Sequence, residues 1–128
     1  MRRYLEIEQV RLGERLRYEI AVDPALAACE VPALLLQPLV ENAIKHGIAP
    51  RAAGGALRIG GWREEERTVF TVRNTGDGIR AGAGGGEGLE NVRRRLSAMY
   101  GEAASVSLTA DGGETETRVV LPAPPARP

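Results

Sequence analysis

The fold of this 128-residue chain is decided by the stretch Gln-Pro-Leu-Val-Glu-Asn-Ala-Ile-Lys-His-Gly at residues 37–47. On a helix that turns about 100° per residue, its apolar side chains fall on one side and its polar side chains on the other. The polar side carries Glu41, Asn42, Lys45 and His46. An amide oxygen suits Mg²⁺ beside phosphate oxygens and waters, and a lysine ammonium suits a terminal phosphate. Taken alone, the same face is more typical of a solvated helix with a Glu41–Lys45 ion pair.

Composition excludes several classes of function. Lys45 is the single lysine and precedes a histidine, so the Gly-Lys-Ser/Thr phosphate loop of P-loop NTPases is absent. One histidine and one cysteine, Cys29, are too few ligands for a zinc site. The 17 acidic residues balance 17 basic ones, so we expect no nucleic-acid partner. No apolar run approaches the roughly 20 residues of a membrane span. The lone cysteine suggests a reducing compartment.

Hydrophobic periodicity predicts one domain of three helices and about five strands. The predicted helices cover 2–17, 33–47 and 89–100, and the predicted strands cover 18–22, 56–63, 67–74, 104–109 and 115–121. A single sheet with helices on one face, a two-layer α/β sandwich, suits this set of elements.

A glycine-rich stretch at residues 76–88 interrupts the regular elements. The segment after it is too short to bury a core of its own, which disfavours an interdomain linker. A loop this long inside a compact domain is more typical of a functional lid. Its first part also fits a G-x-G-x-x-A dinucleotide fingerprint, but that fingerprint must open a helix, and the following glycines disfavour one.

Three motifs together resemble, in order and spacing, the ATP-binding domain of LytS-type bacterial sensor histidine kinases. They are residues 37–47, Asn74-Thr75-Gly76-Asp77-Gly78, and Gly86-Glu87-Gly88-Leu89-Glu90-Asn91-Val92-Arg93-Arg94-Arg95-Leu96. Residues 4–8 look like the lead-in to this domain, and residues 119–122 look like its closing strand. The resemblance covers nearly the whole chain. It implies the Bergerat ATP-binding fold, an α+β sandwich with a mixed, mainly antiparallel sheet.

The resemblance also implies a role for each matching residue. Asn42 would hold Mg²⁺ and act in catalysis with Lys45, and Asn74 would accept a hydrogen bond from the adenine amino group. Residues 79–87 would form the ATP lid. The complete set of implied ATP-binding positions is Asn42, Lys45, His46, Asn74, Gly76, Gly78, Ile79, Gly86, Gly88, Leu89 and Thr115.

The chain departs from the pattern of these kinases at three positions. Asn74 stands where the wider superfamily has an aspartate, so it can accept a hydrogen bond but carries no charge. Glu114 stands where a glycine usually precedes the threonine, which puts the adenine role of Thr115 in doubt. Pro38 stands where many relatives have a polar or acidic side chain, so no general base is evident; Glu41 is the nearest candidate and is equally consistent with a structural role.

These features predict a kinase domain over 1–122 followed by a proline-rich tail over 123–128. We expect the helix over 1–16 to continue from an upstream domain. The resemblance implies ATP, Mg²⁺, a histidine-bearing dimerisation domain and a response regulator as partners. It also implies a cytoplasmic location, as the soluble part of a membrane-anchored sensor. Two alternatives stay open: a nucleotide-dependent protein-binding switch like the anti-sigma relatives, and a degenerate domain that no longer binds ATP.

Overall fold

The computed structural model describes residues 2–26, 31–49, 52–75 and 86–122. Its helices are α1 (Arg2–Leu12), α2 (Val31–Asn42) and α3 (Gly86–Tyr100), and its strands are β1 (Leu16–Val22), β2 (Gly55–Glu64), β3 (Arg67–Thr75), β4 (Ser105–Asp111) and β5 (Glu114–Pro122). Three helices and a mixed five-stranded sheet confirm the predicted fold class. The proline-rich tail and most of the predicted lid lie outside the described residues.

The sheet has the strand order β1-β2-β3-β5-β4. Strand β1 pairs in parallel with β2, whereas the other three pairings are antiparallel. The register of β3 against β5 places Asn74 directly opposite Thr115. Two of the predicted ATP-binding residues, distant in the sequence, therefore meet on neighbouring central strands.

One face of the sheet and all three helices share a single apolar core. Alternate residues of the central strands supply the sheet side, as expected for side chains that point to opposite faces. These buried residues are Leu57, Ile59, Phe70, Val72, Val119 and Leu121 from the sheet, and Leu5, Val40, Ile44, Val92 and Leu96 from the helices and the turn after α2. Since every helix buries side chains in this one cluster, the helices cover the same face of the sheet.

The other face of the sheet is polar, as is usual for an antiparallel sheet open to water on one side. Glu116 accepts hydrogen bonds from Arg73 at 2.6 Å and from Arg118 at 3.1 Å. The Arg118 guanidinium lies 5.8 Å from the ring centroid of Trp62, a cation–π distance. Charged pairs and one aromatic ring thus cover the face of the sheet that is opposite the helices.

Helix α1 ends earlier than the sequence predicted. The predicted helix over residues 1–16 is too long, because α1 stops at Leu12 and Leu16 begins β1 with its side chain fully buried. Gly13 has a φ of +62°, a conformation that glycine adopts at low cost and that ends α-helices. A short 3₁₀ turn at Gly13–Arg15 then leads into the strand.

The second predicted helix also ends differently. Helix α2 passes into a π-helical turn at Ala43–Ile48, closed by the Ala49 N–H on the Ile44 carbonyl at 2.7 Å, so Gly47 is not its end. Leu36, Val40, Ile44 and Ile48 are buried at intervals of four. In a straight α-helix the direction of the side chain rotates by about 40° at each step of four residues. The wider π-helical turn compensates for this rotation and keeps Ile48 against the core. Turns of this kind are frequent at functional sites.

Helix α3 starts at Gly86, before the predicted start at Leu89. Within the described ranges, none of the helices has the length and apolar character needed to cross a membrane.

Candidate functional site

The end of α2, the central strands and the start of α3 enclose a small space of about 10 Å³. Its lining consists of Leu39, Asn42, Ala43, Asn74, Leu89, Leu108 and Thr117. Two larger depressions, of about 220 and 550 Å³, lie elsewhere on the surface and are lined mainly by charged and exposed residues. We take the small enclosure as the candidate site because two of the predicted motifs and the first helical turn of the third meet there.

Asn74 is oriented by its own strand. Its side chain is 2% exposed, and Nδ2 donates to the Thr75 carbonyl at 3.0 Å. A backbone carbonyl can only accept, so the nitrogen must be the atom that faces it and Oδ1 must be on the other side. The orientation of Asn74 therefore presents an acceptor, as expected for a residue that contacts an amino group.

Thr115 is buried beside Asn74, with 2% of its surface exposed. The neighbouring Glu114 is exposed and lies 3.5 Å from Arg73 in an ion pair on the open face of the sheet. Successive residues of a strand point to opposite faces. The carboxylate that replaces the usual glycine therefore points away from the enclosure and does not displace Thr115.

The predicted polar residues of the second helix do not all reach the enclosure. Asn42 lines it and is half-buried, whereas Lys45 is exposed in the π-helical turn. The backbone of His46 lies in the same turn, and its side chain is outside what the structure describes. The residues after Asn42 form a π-helical turn and not an α-helix. The rotation of 100° per residue that predicted a shared direction for Asn42, Lys45 and His46 therefore does not apply to them.

Glu41 lies on a different side of α2. It is exposed and accepts a hydrogen bond from Gln37 Nε2 at 3.2 Å. Burial and then the negative charges of Glu8 and Glu41 raise the pKa of Tyr4 on α1 to about 12. Glu41 thus interacts with α1 and is not among the residues that line the enclosure. The sequence suggested Glu41 as a candidate general base. Of the three predicted catalytic residues, Glu41, Asn42 and Lys45, only Asn42 lines the enclosure.

The third motif supplies the start of α3. Gly86 and Gly88 lie in its first turn, where backbone N–H groups lack helical partners and a partial positive charge favours anions. Leu89 lines the enclosure from the same turn. Three other predicted nucleotide contacts, Gly76, Gly78 and Ile79, lie outside the described residues.

Sequence reasoning missed four lining residues: Leu39, Ala43, Leu108 and Thr117. Thr117 follows Thr115 by two positions, which places it on the same face of β5. The spacing of two residues from Thr115 could therefore have identified Thr117 from the sequence. Leu108 lies opposite Thr117 on β4, a pairing that the sequence did not indicate.

The residues at the site fit Mg²⁺ only in combination with a ligand. Among the described residues, no group of three or more histidine, cysteine, aspartate or glutamate side chains could hold a metal ion. Asn42 offers one half-buried amide oxygen. Magnesium is commonly held by one or two protein oxygens together with phosphate oxygens and waters, and Asn42 suits that arrangement.

Comparison with known proteins identifies the family. Residues 31–125 match the model of the histidine kinase-, DNA gyrase B- and HSP90-like ATPases. The match covers most of the chain, and the chain belongs to this family.

Its curated relatives include sensor histidine kinases. The chain is 33% identical to the sensor histidine kinase YesM of Bacillus subtilis, over 97% of this chain and 22% of the relative. It is 38% identical to the sensor histidine kinase YpdA of Escherichia coli, over 87% and 21% respectively. It is 31% identical to the sensor histidine kinase/phosphatase LytS of Staphylococcus aureus, over 95% and 23%. The chain thus spans about a fifth of these proteins, and the resemblance to LytS-type kinases is confirmed.

Solved structures agree on the fold. The catalytic domain of histidine kinase ThkA has a TM-score of 0.71 at 16% identity and covers 93% of this chain and 86% of its own. The histidine kinase domain of a blue-light activated kinase from Erythrobacter litoralis has a TM-score of 0.69 at 22% identity, over 94% and 58%. ThkA has also been solved in complex with the response regulator protein TrrA.

Proposed function

We propose that this chain is the Mg-ATP-binding catalytic domain of a two-component sensor histidine kinase, which transfers the γ-phosphoryl group to a histidine on a separate dimerisation domain. The observation that carries the proposal is that Asn42 and Asn74, from separate motifs, line one enclosure. Family membership and the kinase relatives support the same function.

The base would bind at the buried end of the enclosure. Asn74 Oδ1 accepts from the adenine amino group, and Thr115 lies beside it with a hydroxyl that can donate or accept. Leu39, Leu89 and Leu108 offer apolar surface to the faces of the ring. An amide in place of a carboxylate keeps the acceptor but forgoes the stronger bond of a charged group.

The phosphates would extend from there towards the ends of α2 and α3. The Asn42 oxygen would ligate Mg²⁺, which neutralises phosphate charge when bound, while Lys45 would reach the terminal phosphate. The first turn of α3 presents backbone N–H groups. Phosphoryl transfer depends mainly on positioning and charge stabilisation. In that transfer the acceptor imidazole nitrogen bonds to the γ-phosphorus, the bond to the bridging oxygen breaks, and ADP leaves.

The partners and location follow from this role. We propose that the acceptor histidine belongs to a dimerisation domain and that a response regulator receives the phosphoryl group from it. The domain would act in the cytoplasm, where ATP is available, as part of a membrane-anchored sensor.

Isothermal titration calorimetry with Mg-ATP tests the proposal. We expect saturable one-site binding that depends on Mg²⁺. Asn42→Ala should weaken Mg-ATP binding by roughly tenfold or more, because it removes the metal ligand. The affinity of this variant for ATP in EDTA should differ far less from that of the unmodified chain, because neither protein then binds Mg²⁺.

Asn91→Ala is the matched control, because Asn91 is an exposed asparagine outside the enclosure. It should bind Mg-ATP like the unmodified chain. Absence of binding at millimolar nucleotide would contradict the proposal and favour a degenerate interaction domain. Binding without transfer to any histidine-bearing dimerisation domain would favour a protein-binding switch.

A further inference from the structure

A notch at the start of β2 receives the end of the π-helical turn that follows α2. Gly55 begins β2, and a Cβ built on it would lie 3.3 Å from Cγ1 of Ile48 and 2.6 Å from Oγ1 of Thr75. The fully buried Ile48 side chain therefore occupies space that a side chain at position 55 would contest. The turn packs against both β2 and β3. Its last residue is thus held by the sheet.

The same notch is tied to the strand that carries Asn74. Thr75 Oγ1 accepts a hydrogen bond from the Ala56 N–H at 3.0 Å. These two residues lie one position beyond Leu57 and Asn74, the last pair in the register of β2 with β3. The side-chain bond therefore joins the start of β2 to the end of β3. Ile48 packs against a part of the sheet whose position relative to Asn74 is fixed.

The π-helical turn connects this anchor to Asn42. The bond from the Ala49 N–H to the Ile44 carbonyl, at 2.7 Å, spans five residues instead of the four of an α-helix. The turn therefore holds one residue more than an α-helical turn, and each residue of an α-helix rotates the chain by about 100°. Loss of the wider turn would rotate Asn42 away from the enclosure or lift Ile48 out of the notch. The positions of these two side chains are thus coupled.

We propose that Ile48 is a positioning residue for Asn42, because its side chain, held over Gly55, maintains the turn that keeps the Asn42 amide at the enclosure. This inference rests on the proposed function and deepens it, since it adds a residue that acts on Mg²⁺ binding only through Asn42. Ile48 is not among the residues that line the enclosure. A ligating side chain depends on such support, since it must be held within a fraction of an ångström by the residues packed around it.

Calorimetry with ATP in Mg²⁺ and in EDTA tests the role of Ile48. We expect Ile48→Ala to weaken Mg-ATP binding roughly three- to tenfold and to change binding in EDTA far less, because Asn42 acts on the metal. Ile48→Val keeps the γ carbon that lies over the notch and should bind like the unmodified chain. In the free protein, the Ala49 amide should exchange its hydrogen faster in Ile48→Ala than in Ile48→Val, a readout that needs neither metal nor nucleotide.

Gly55→Ala disturbs the same contact without removing core volume, and Gly60→Ala is its matched control. Both glycines lie on β2, and a Cβ built on Gly60 would also meet a threonine hydroxyl, 2.9 Å from Oγ1 of Thr71, but away from the enclosure. Both variants should lose stability. Only Gly55→Ala should weaken binding in Mg²⁺ more than binding in EDTA, and this pair decides the question if Ile48→Ala does not fold.

The ratio of the two affinities separates the possible outcomes. An unchanged ratio in folded Ile48→Ala or in Gly55→Ala would overturn the inference and leave the proposed function intact. Equal exchange of the Ala49 amide in the two Ile48 variants, or an equal change of the ratio in Gly60→Ala, would overturn the inference too. Absence of Mg-ATP binding by the unmodified chain would overturn the proposed function together with the inference.

Discussion

At the scale of single residues, Thr68 marks a place where the core is not optimal. Its side chain is fully buried, and its hydroxyl has no hydrogen-bond partner among the described residues. Thr68→Val replaces the hydroxyl by a methyl group of similar size and removes the unsatisfied group. We expect a stability gain of about 1 kcal/mol, measured as a higher urea midpoint at unchanged m-value. A lower midpoint for this variant would contradict the assignment.

Tyr4 predicts a dependence of stability on pH. Burial and the charges of Glu8 and Glu41 raise its pKa from 10.0 to about 12. Between these two values the unfolded chain loses the phenol proton while the folded chain keeps it, so stability falls as pH rises through this window. Tyr4→Phe should remove that part of the decline. Urea unfolding at a series of pH values from 9 upward, in both proteins, measures it, and parallel curves would show that Tyr4 does not contribute.

Among the structural elements, the turn before β2 depends on a single glycine. Gly54 has a φ of +70°, and a Cβ built on it would lie 1.9 Å from the Arg15 carbonyl oxygen. Gly54→Ala should therefore destabilise the fold by several kcal/mol, since the atom it meets is backbone and cannot move aside cheaply. Thermal or urea unfolding measures the loss.

Gly112→Ala is the matched control for this turn. Gly112 also has a positive φ, of +59°, but a Cβ there meets nothing within 4 Å. It should lose only the roughly 1 kcal/mol of a left-handed alanine. Equal losses in the two variants would show that the close approach to Arg15 does not matter.

The type of each helix and strand could be predicted from its periodicity, whereas some of the ends could not. Leu16 continued the helical apolar pattern of α1, yet it is a buried strand residue, because Gly13 ends the helix and the chain turns into the sheet. The π-helical turn after Asn42 also escaped prediction. It depends on packing of Ile48 against the sheet, and local propensity carries no information about that contact.

At the scale of the whole molecule, the sequence predicted Asn42 and Asn74 as members of one site but did not indicate how they meet. The strand register that places Asn74 opposite Thr115 is a property of the assembled sheet. The same register explains Thr117, which the sequence left unassigned. It also explains why Glu114 points to the opposite face, where it pairs with Arg73. Glu114 therefore does not displace the Thr115 side chain, although the sequence suggested that it would disturb the role of Thr115.

The distribution of histidine predicts the outcome of a labelling experiment. The single histidine of the chain, His46, lies in the turn directly after Asn42, within the proposed nucleotide site. We propose that it belongs to the site and is not an acceptor. We expect no stable phosphorylated band when the chain alone is incubated with radiolabelled ATP and run on a denaturing gel under alkaline conditions. A labelled band that disappears in His46→Ala would contradict this assignment.

The position of Trp62 gives the protein a built-in optical probe. Trp62 is the single tryptophan, and it lies on the open face of the sheet under the Arg118 guanidinium, with the sheet between it and the candidate enclosure. Its fluorescence should report the integrity of the sheet, since the ring lies on strand β2 and does not line the enclosure. Emission spectra can therefore follow unfolding of variants at the candidate site with a ring that does not line the enclosure.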